Sequence, residues 1–240
     1  MSTKNNRLKN LDIHTDLREK GYVVIREAIK FPKEKLVCIK KDPRVHSRIL
    51  WKIRFETKKY FVKYWNTREL VSSFQGHYIN KNYTIDWHVD QNNSHSKGCV
   101  SLQGIIALTN SSATEFLTGS HKYFESFARR CTTNNPYEWE GNRIPLNDYI
   151  WKKGLIVERP SLKPGDLLLF DSRLIHRVIK HNYRAVLYTS MVPRQFLSNL
   201  IERERIKAYK NNAHTTHWCN KVIITDYDEP AQSVKINSLV

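Results

Sequence analysis

The sequence is short of what disulfide scaffolds, fibrous chains and membrane proteins need. Its 240 residues include four cysteines, Cys38, Cys99, Cys131 and Cys219, none at CxxC spacing. A disulfide framework is excluded, and the expectation is reduced thiols in a cytoplasmic or nuclear compartment. Glycine and proline number eight each, with no periodic or clustered tract, which excludes collagen-like and low-complexity chains. Apolar runs such as Leu167-Leu168-Leu169-Phe170 and Ile105-Ile106-Ala107-Leu108 fall far below the ~20 residues that cross a bilayer. The first ten residues carry positive charge with no apolar stretch behind them, so neither a secretory leader nor a membrane partner is expected. Acids are scarce as well, at 23 against 40 Lys and Arg, for a net charge of +17.

What is present suits a folded domain. Hydrophobic residues make up 40% and aromatics 11% of the chain, enough to bury a core. Residues 30–68 hold thirteen Lys and Arg against Glu34, Asp42 and Glu56, interleaved with Trp51, Phe55, Tyr60, Phe61, Tyr64 and Trp65. Two readings apply. Bases and rings together suit a polyanion-binding face, and a nucleic-acid partner follows from it. The duller reading is coding bias, because 23 Lys and 19 Asn stand against 8 Ala. Trp51, Phe55 and Trp65 fall near helical spacing, and the better reading makes them core.

No repeat or linker divides residues 1–240, which read as one domain. Residues 11–20 have helical spacing, ended by Gly21 before the strand-like Tyr22-Val-Val-Ile. Residues 32–66 read as mostly helical, with Pro32 at a start and Pro43 at a break. Short apolar runs separated by Asn, Ser and Gly follow, at 70–74, 84–90, 99–109 and 115–117. After a Pro- and Asn-rich insertion at 132–148, strands are expected at 155–158, 166–170, 174–179 and 185–192. Many short strands at regular spacing predict an antiparallel barrel or jelly roll. The expectation is α+β, mainly β: a helical part over 10–68, a jelly-roll core over 69–193, and a C-terminal helix and tail over 197–240.

One constellation carries chemistry. His88 and Asp90 are two apart on a predicted strand, so both leave the same face. Much later, Pro164-Gly165-Asp166 turns into an apolar strand leading to Asp171-Ser-Arg-Leu-Ile-His176. If the jelly roll closes, His176 arrives opposite the first pair. Two imidazoles and a carboxylate on one side of a metal are the mark of non-haem Fe(II) oxygenases, whose open positions take a co-substrate and O2. Arg184, eight residues on, begins the next strand, where a guanidinium could hold a carboxylate bidentately.

These residues resemble the phytanoyl-CoA dioxygenase-like family of Fe(II)/2-oxoglutarate oxygenases. The matching pieces are Gly21-Tyr-Val-Val-Ile, Trp87-His-Val-Asp-Gln91, Thr114-Glu-Phe-Leu-Thr-Gly-Ser-His-Lys122, Pro164-Gly-Asp-Leu-Leu-Leu-Phe-Asp-Ser-Arg-Leu-Ile-His176 and Arg184, in family order over residues 21–193. The resemblance implies a double-stranded β-helix (jelly-roll, cupin-like) with flanking N-terminal helices. It implies Fe(II) on His88, Asp90 and His176, the distal carboxylate of 2-oxoglutarate on Arg184, and the Thr114 hydroxyl near that carboxylate. It also implies O2 as co-substrate, release of succinate and CO2, and hydroxylation of a small organic substrate whose anionic character the basic residues would suit. Many relatives carry Gln between the His and Asp, and Ser two residues past the distal His; here these are Val89 and Val178. Retention of Asp90 argues against halogenation.

Blander readings stand beside these. His121, in the Gly-Ser-His turn, reads as structural, and His77 and His95 as exposed loop residues. His214, His217 and Cys219 lack a fourth zinc ligand. Arg54 and Gln91 could touch substrate, with Arg54 equally suited to a solvated basic face. Asp86 and Trp87 are candidates to orient the metal ligands, and 132–148 to cover the site. Two rival functions are a catalytically degenerate oxygenase fold that binds nucleic acid or acts as a scaffold, and a hydrolase or isomerase with Zn2+ or Mn2+ on the same three ligands, which has no use for Arg184.

Overall fold

The computed structural model describes residues 12–30, 45–80, 84–91, 98–99, 101–128, 142–143, 153–181, 184–211, 213–215 and 222–223. Helix α1 spans Ile13–Glu19 and starts where the Asp12 carboxylate accepts from Thr15 N at 3.1 Å. It stops at Gly21, whose φ of +86° suits a residue without Cβ. Strand β1 follows at Tyr22–Ile25. Helix α2, Arg48–Trp65, is capped by Ser47 and closed by Asn66 in the left-handed region. Its buried residues Leu50, Trp51, Arg54, Thr57 and Phe61 recur at helical spacing and form the face laid on the sheet.

The remaining strands are β2 (Leu70–Ser72), β3 (His77–Asn80), β4 (Ile85–Val89), β5 (Leu102–Ala107), β6 (Thr114–Leu117), β7 (Asn142–Arg143), β8 (Val157–Glu158), β9 (Leu167–Asp171), β10 (His176–Val178), β11 (Arg184–Tyr188), β12 (Met191–Pro193), β13 (His214–Thr215) and β14 (Val222–Ile223). A 3-10 turn at Ser120–Tyr123 leads into helix α3, Phe124–Ala128, and helix α4 spans Asn199–Lys210. The pairing is antiparallel throughout. A major sheet runs β1-β9-β5-β11-β3, with β12 bridging β5 and β2, and a minor sheet runs β7-β4-β10-β6-β8. Two facing antiparallel sheets are the jelly roll expected from the spacing of the apolar runs.

Alternation along the strands sorts the core into layers. Leu102 and Ile106 of β5, with Leu167 and Leu169 of β9, face α1 and α2. Ile105, Ala107, Leu168, Phe170 and Val186 face the opposite way and pack against Phe116 of the minor sheet. Gly104 is obligatory on the helix-facing side, because a Cβ there would lie 2.2 Å from the Thr189 carbonyl oxygen.

Three local expectations change. The run 185–192 is two strands: β11 pairs with β3 and β5, then Thr189 N donates to Gly104 O and the chain shifts to pair β12 with β2. His77 begins β3 instead of lying in a loop. The insertion at 132–148 contributes β7 to the edge of the minor sheet, where His88 pairs with Arg143; the rest of it, His95 and the C-terminal tail apart from β13 and β14 lie outside the described residues. Among the described residues no helix is long and apolar enough to cross a membrane.

Candidate metal centre

The site grows from one register. Strand β4 pairs with β10 so that His88 lies opposite His176. Trp87 and Val89 turn to an apolar cluster with Leu117, Phe124 and Ile175, so His88 and Asp90 leave the other face. His88, Asp90 and His176 are all buried, and one ligand atom from each lies within 4.8 Å of the others. The imidazole centroids are 4.2 Å apart. Asp90 Oδ1 is 3.6 Å from His88 Nε2, and Oδ2 is 3.4 Å from His176 Nε2. Two bonds of about 2.1 Å meeting at a metal near a right angle put their ligand atoms roughly 3 Å apart, so these separations suit a shared ion with little adjustment.

The imidazoles are oriented by main chain. His88 Nδ1 donates to Asp86 O at 2.7 Å and His176 Nδ1 to Leu174 O at 2.9 Å. A carbonyl can only accept, so each Nδ1 carries a proton, which leaves Nε2, on the side of Asp90, as the nitrogen a metal would take. Asp86 thus acts through its carbonyl. Trp87 turns to the opposite face, where the Arg177 guanidinium lies 4.5 Å from its ring centroid, and Arg177 pairs with Glu115 at 2.7 Å. The role of Leu174 O had no signal in the sequence, since any residue offers a carbonyl. The far wall is aromatic: Phe170 meets the His176 ring edge-on at 5.0 Å, and Tyr22 stacks on Phe116 at 4.7 Å. Tyr22 donates to Glu158 at 2.8 Å, and burial first, then that carboxylate, push its phenol pKa up.

Arg184 opens β11 in the major sheet and Thr114 opens β6 in the minor one. They meet across the interior, Nη2 donating to Thr114 Oγ1 at 3.4 Å. Arg184 is only 2% exposed, yet its Nε and Nη1 have no partner. A buried guanidinium short of an anion is costly, and a ligand carboxylate would relieve it. Of the two departures from the family pattern, Val89 belongs to the opposite face, and Val178 pairs with Thr114 beside the arginine.

Other candidates resolve structurally. Arg54 is no part of a solvated face: it is buried, donates to Val45 O at 2.9 Å and Gln75 O at 2.7 Å, and lies 4.8 Å from the Trp51 centroid. Gln91 is buried between Ser172 Oγ and Gly98 O, at 2.8 and 2.9 Å. His121 donates to Arg18 O at 3.1 Å, and its ring packs where a Cβ on Gly21 would fall. His214 is held near pKa 4, by burial and then by Arg54, surroundings hostile to a cation; His217 and Cys219 lie outside the described residues. Trp51, Tyr60 and Phe61 are buried, and only Phe55, at 37%, counts as exposed among the rings of α2.

No protein-family profile matches the chain. Ava biosynthesis cluster protein O of Aspergillus versicolor is 26% identical over 205 residues, covering 74% of this chain and 66% of that protein; the chain thus spans just under two thirds of the length of this curated relative. Among solved structures, the epimerase SnoN in complex with Fe3+, alpha-ketoglutarate and nogalamycin RO superimposes with a TM-score of 0.57 at 12% identity, over 75% of this chain and 82% of that one. HygX from Streptomyces hygroscopicus with nickel and 2-oxoglutarate bound gives 0.52 at 13% identity, over 74% and 84%. What the chain shares with these enzymes is the fold: a mainly β, cupin-like sandwich with few helices.

Proposed function

We propose that this chain is an Fe(II)- and 2-oxoglutarate-dependent oxygenase of the phytanoyl-CoA dioxygenase-like kind, acting on a small, anionic organic substrate. The observation that carries the reading is the buried, under-partnered Arg184 guanidinium held by Thr114 in the same interior as the His88, Asp90 and His176 triad. A metal hydrolase would need the triad alone; a keto acid co-substrate needs a cation at its far end as well.

The residues fit the group. Two imidazole Nε2 atoms and one carboxylate form the donor set suited to Fe(II) with one side left open, and Arg184 with Thr114 would take the distal carboxylate. When bound, iron with 2-oxoglutarate and O2 supplies the oxidising chemistry, with succinate and CO2 as by-products. The chain's part is to hold the imidazoles in one tautomer through Asp86 O and Leu174 O, to fix the co-substrate at both ends, and to exclude water with Phe170, Phe116 and Tyr22. Hydroxylation is the outcome proposed. The similarity to an epimerase makes stereochemical inversion the alternative on the same machinery.

The test is 2-oxoglutarate binding to Fe(II)-loaded protein without oxygen, followed by slow succinate release in air. Wild type should bind and turn over. His88→Ala should lose both, and Arg184→Ala should bind at least ~100-fold more weakly, since each charge-assisted hydrogen bond contributes roughly 1.5–3 kcal/mol. Folded, iron-loaded wild type that binds no 2-oxoglutarate would sink the proposal. An Arg184→Ala protein with undiminished activity would point to a metal hydrolase or isomerase.

A further inference from the structure

One buried amide in the interior has a nitrogen with no protein partner. Gln103 lies on β5, is 5% exposed, and its Nε2 finds no acceptor. Strand alternation fixes its direction. Leu102 and Ile106 turn to the helices, whereas Ile105 and Ala107 turn to the space between the sheets, and Gln103 shares their face. Its level is fixed too, because Gln103 pairs with Phe170, the residue whose ring meets His176 at 5.0 Å. In the major sheet β5 lies beside β9, as β4 lies beside β10 in the minor sheet. With Phe170 set against His176, the inward side chain one strand over stands across from the strand of His88 and Asp90.

Leaving a buried N–H unpaired is destabilising, and a leucine of similar size would avoid it. Local rules are broken in this way where a ligand completes the arrangement. The acceptor must be an oxygen at the metal's open side. Arg184 and Thr114 already provide for the far end of an elongated dicarboxylate, so the near end is what remains at the level of Phe170.

We propose that Gln103 is a binding residue for the metal-chelating end of the keto acid, its Nε2 donating to a carboxylate oxygen there; this rests on the function proposed above. Gln103 and Arg184 then grip opposite ends of one molecule. Chelators that share the metal-binding end but lack the distal arm should feel only Gln103.

Binding of 2-oxoglutarate and of oxalate is measured by calorimetry on Ni(II)-loaded protein, for wild type, Gln103→Leu and Arg184→Ala. Gln103→Leu should weaken both ligands about tenfold, whereas Arg184→Ala should weaken 2-oxoglutarate alone. Without ligand, Gln103→Leu should melt at the wild-type temperature or above it, having lost an unpaired buried N–H. Equal affinities in wild type and Gln103→Leu, with 2-oxoglutarate still bound by both, would overturn the assignment of Gln103. Failure of wild type to bind 2-oxoglutarate would instead overturn the parent function.

Discussion

A single carbonyl oxygen decides what side chain residue 104 can carry. Thr189 N donates to Gly104 O at 2.8 Å, and the Thr189 carbonyl stands 2.2 Å from where a Cβ on Gly104 would be. Neither backbone can give way without breaking the β5–β11 ladder, and the Phe61 ring closes the same space at 3.2 Å. Gly104→Ala should therefore cost about 3 kcal/mol or more, read as a lower urea midpoint with unchanged slope. The sequence offered no sign of this, since Gly104 sits in an otherwise apolar run. His88, Asp90, His176 and Arg184 were legible because their types and spacing match a chemical need. Gln103 was not, because an amide signals a ligand only once its neighbours are known to leave it unpaired.

At the scale of elements, α2 shows that a basic residue in a basic stretch need not lie at the surface. Its lysines face solvent, but Arg54 is drawn inside to cap the carbonyls of Val45 and Gln75. Burial, with that guanidinium second, depresses the titration of the histidines beside it. His46 is fully buried among Trp51, Phe74 and Tyr209, with Nε2 donating to Ala213 O. Burial first, and then Arg54, depress its pKa to about 3; His214 falls to about 4 for the same two reasons. Both folded-state values lie below the unfolded value near 6.5, so the unfolded chain takes up protons first as pH drops. Stability is complete above about pH 6.5 and declines down to about pH 3, by up to about 4–5 kcal/mol for His46 alone. Denaturant midpoints from pH 7 to pH 4 should fall, and His46→Phe should flatten the curve; a profile flat in wild type would contradict the assignment. Helices and most strands were legible from apolar spacing. The break after Tyr188 was not, because 185–192 is apolar enough for one long strand and only the shift in partners divides it.

For the molecule as a whole, the proposed co-substrate site lies where the sheets meet: Arg184 from one sheet, Thr114 and the triad from the other. A ligand bridging them stabilises the folded state by about 2.7 kcal/mol at a hundred times its Kd. For a chain this long that is a rise in Tm of about 5–10 °C. Ni(II) with 2-oxoglutarate should raise Tm beyond Ni(II) alone in wild type, and Arg184→Ala should lose the increment. The pairing of β1 with β9 has a consequence of another kind. Residues 22–25 find their partners only at 167–170, and β5 waits on β9 and β11 as well. During synthesis, everything made before residue 167 emerges lacks the strand that joins β1 to β5, so the first half of the chain spends most of its translation with apolar strand edges open. For this topology, the hazard to a nascent chain lies in its own delay, and chaperone demand should rise with any slowing of the ribosome between residues 110 and 190.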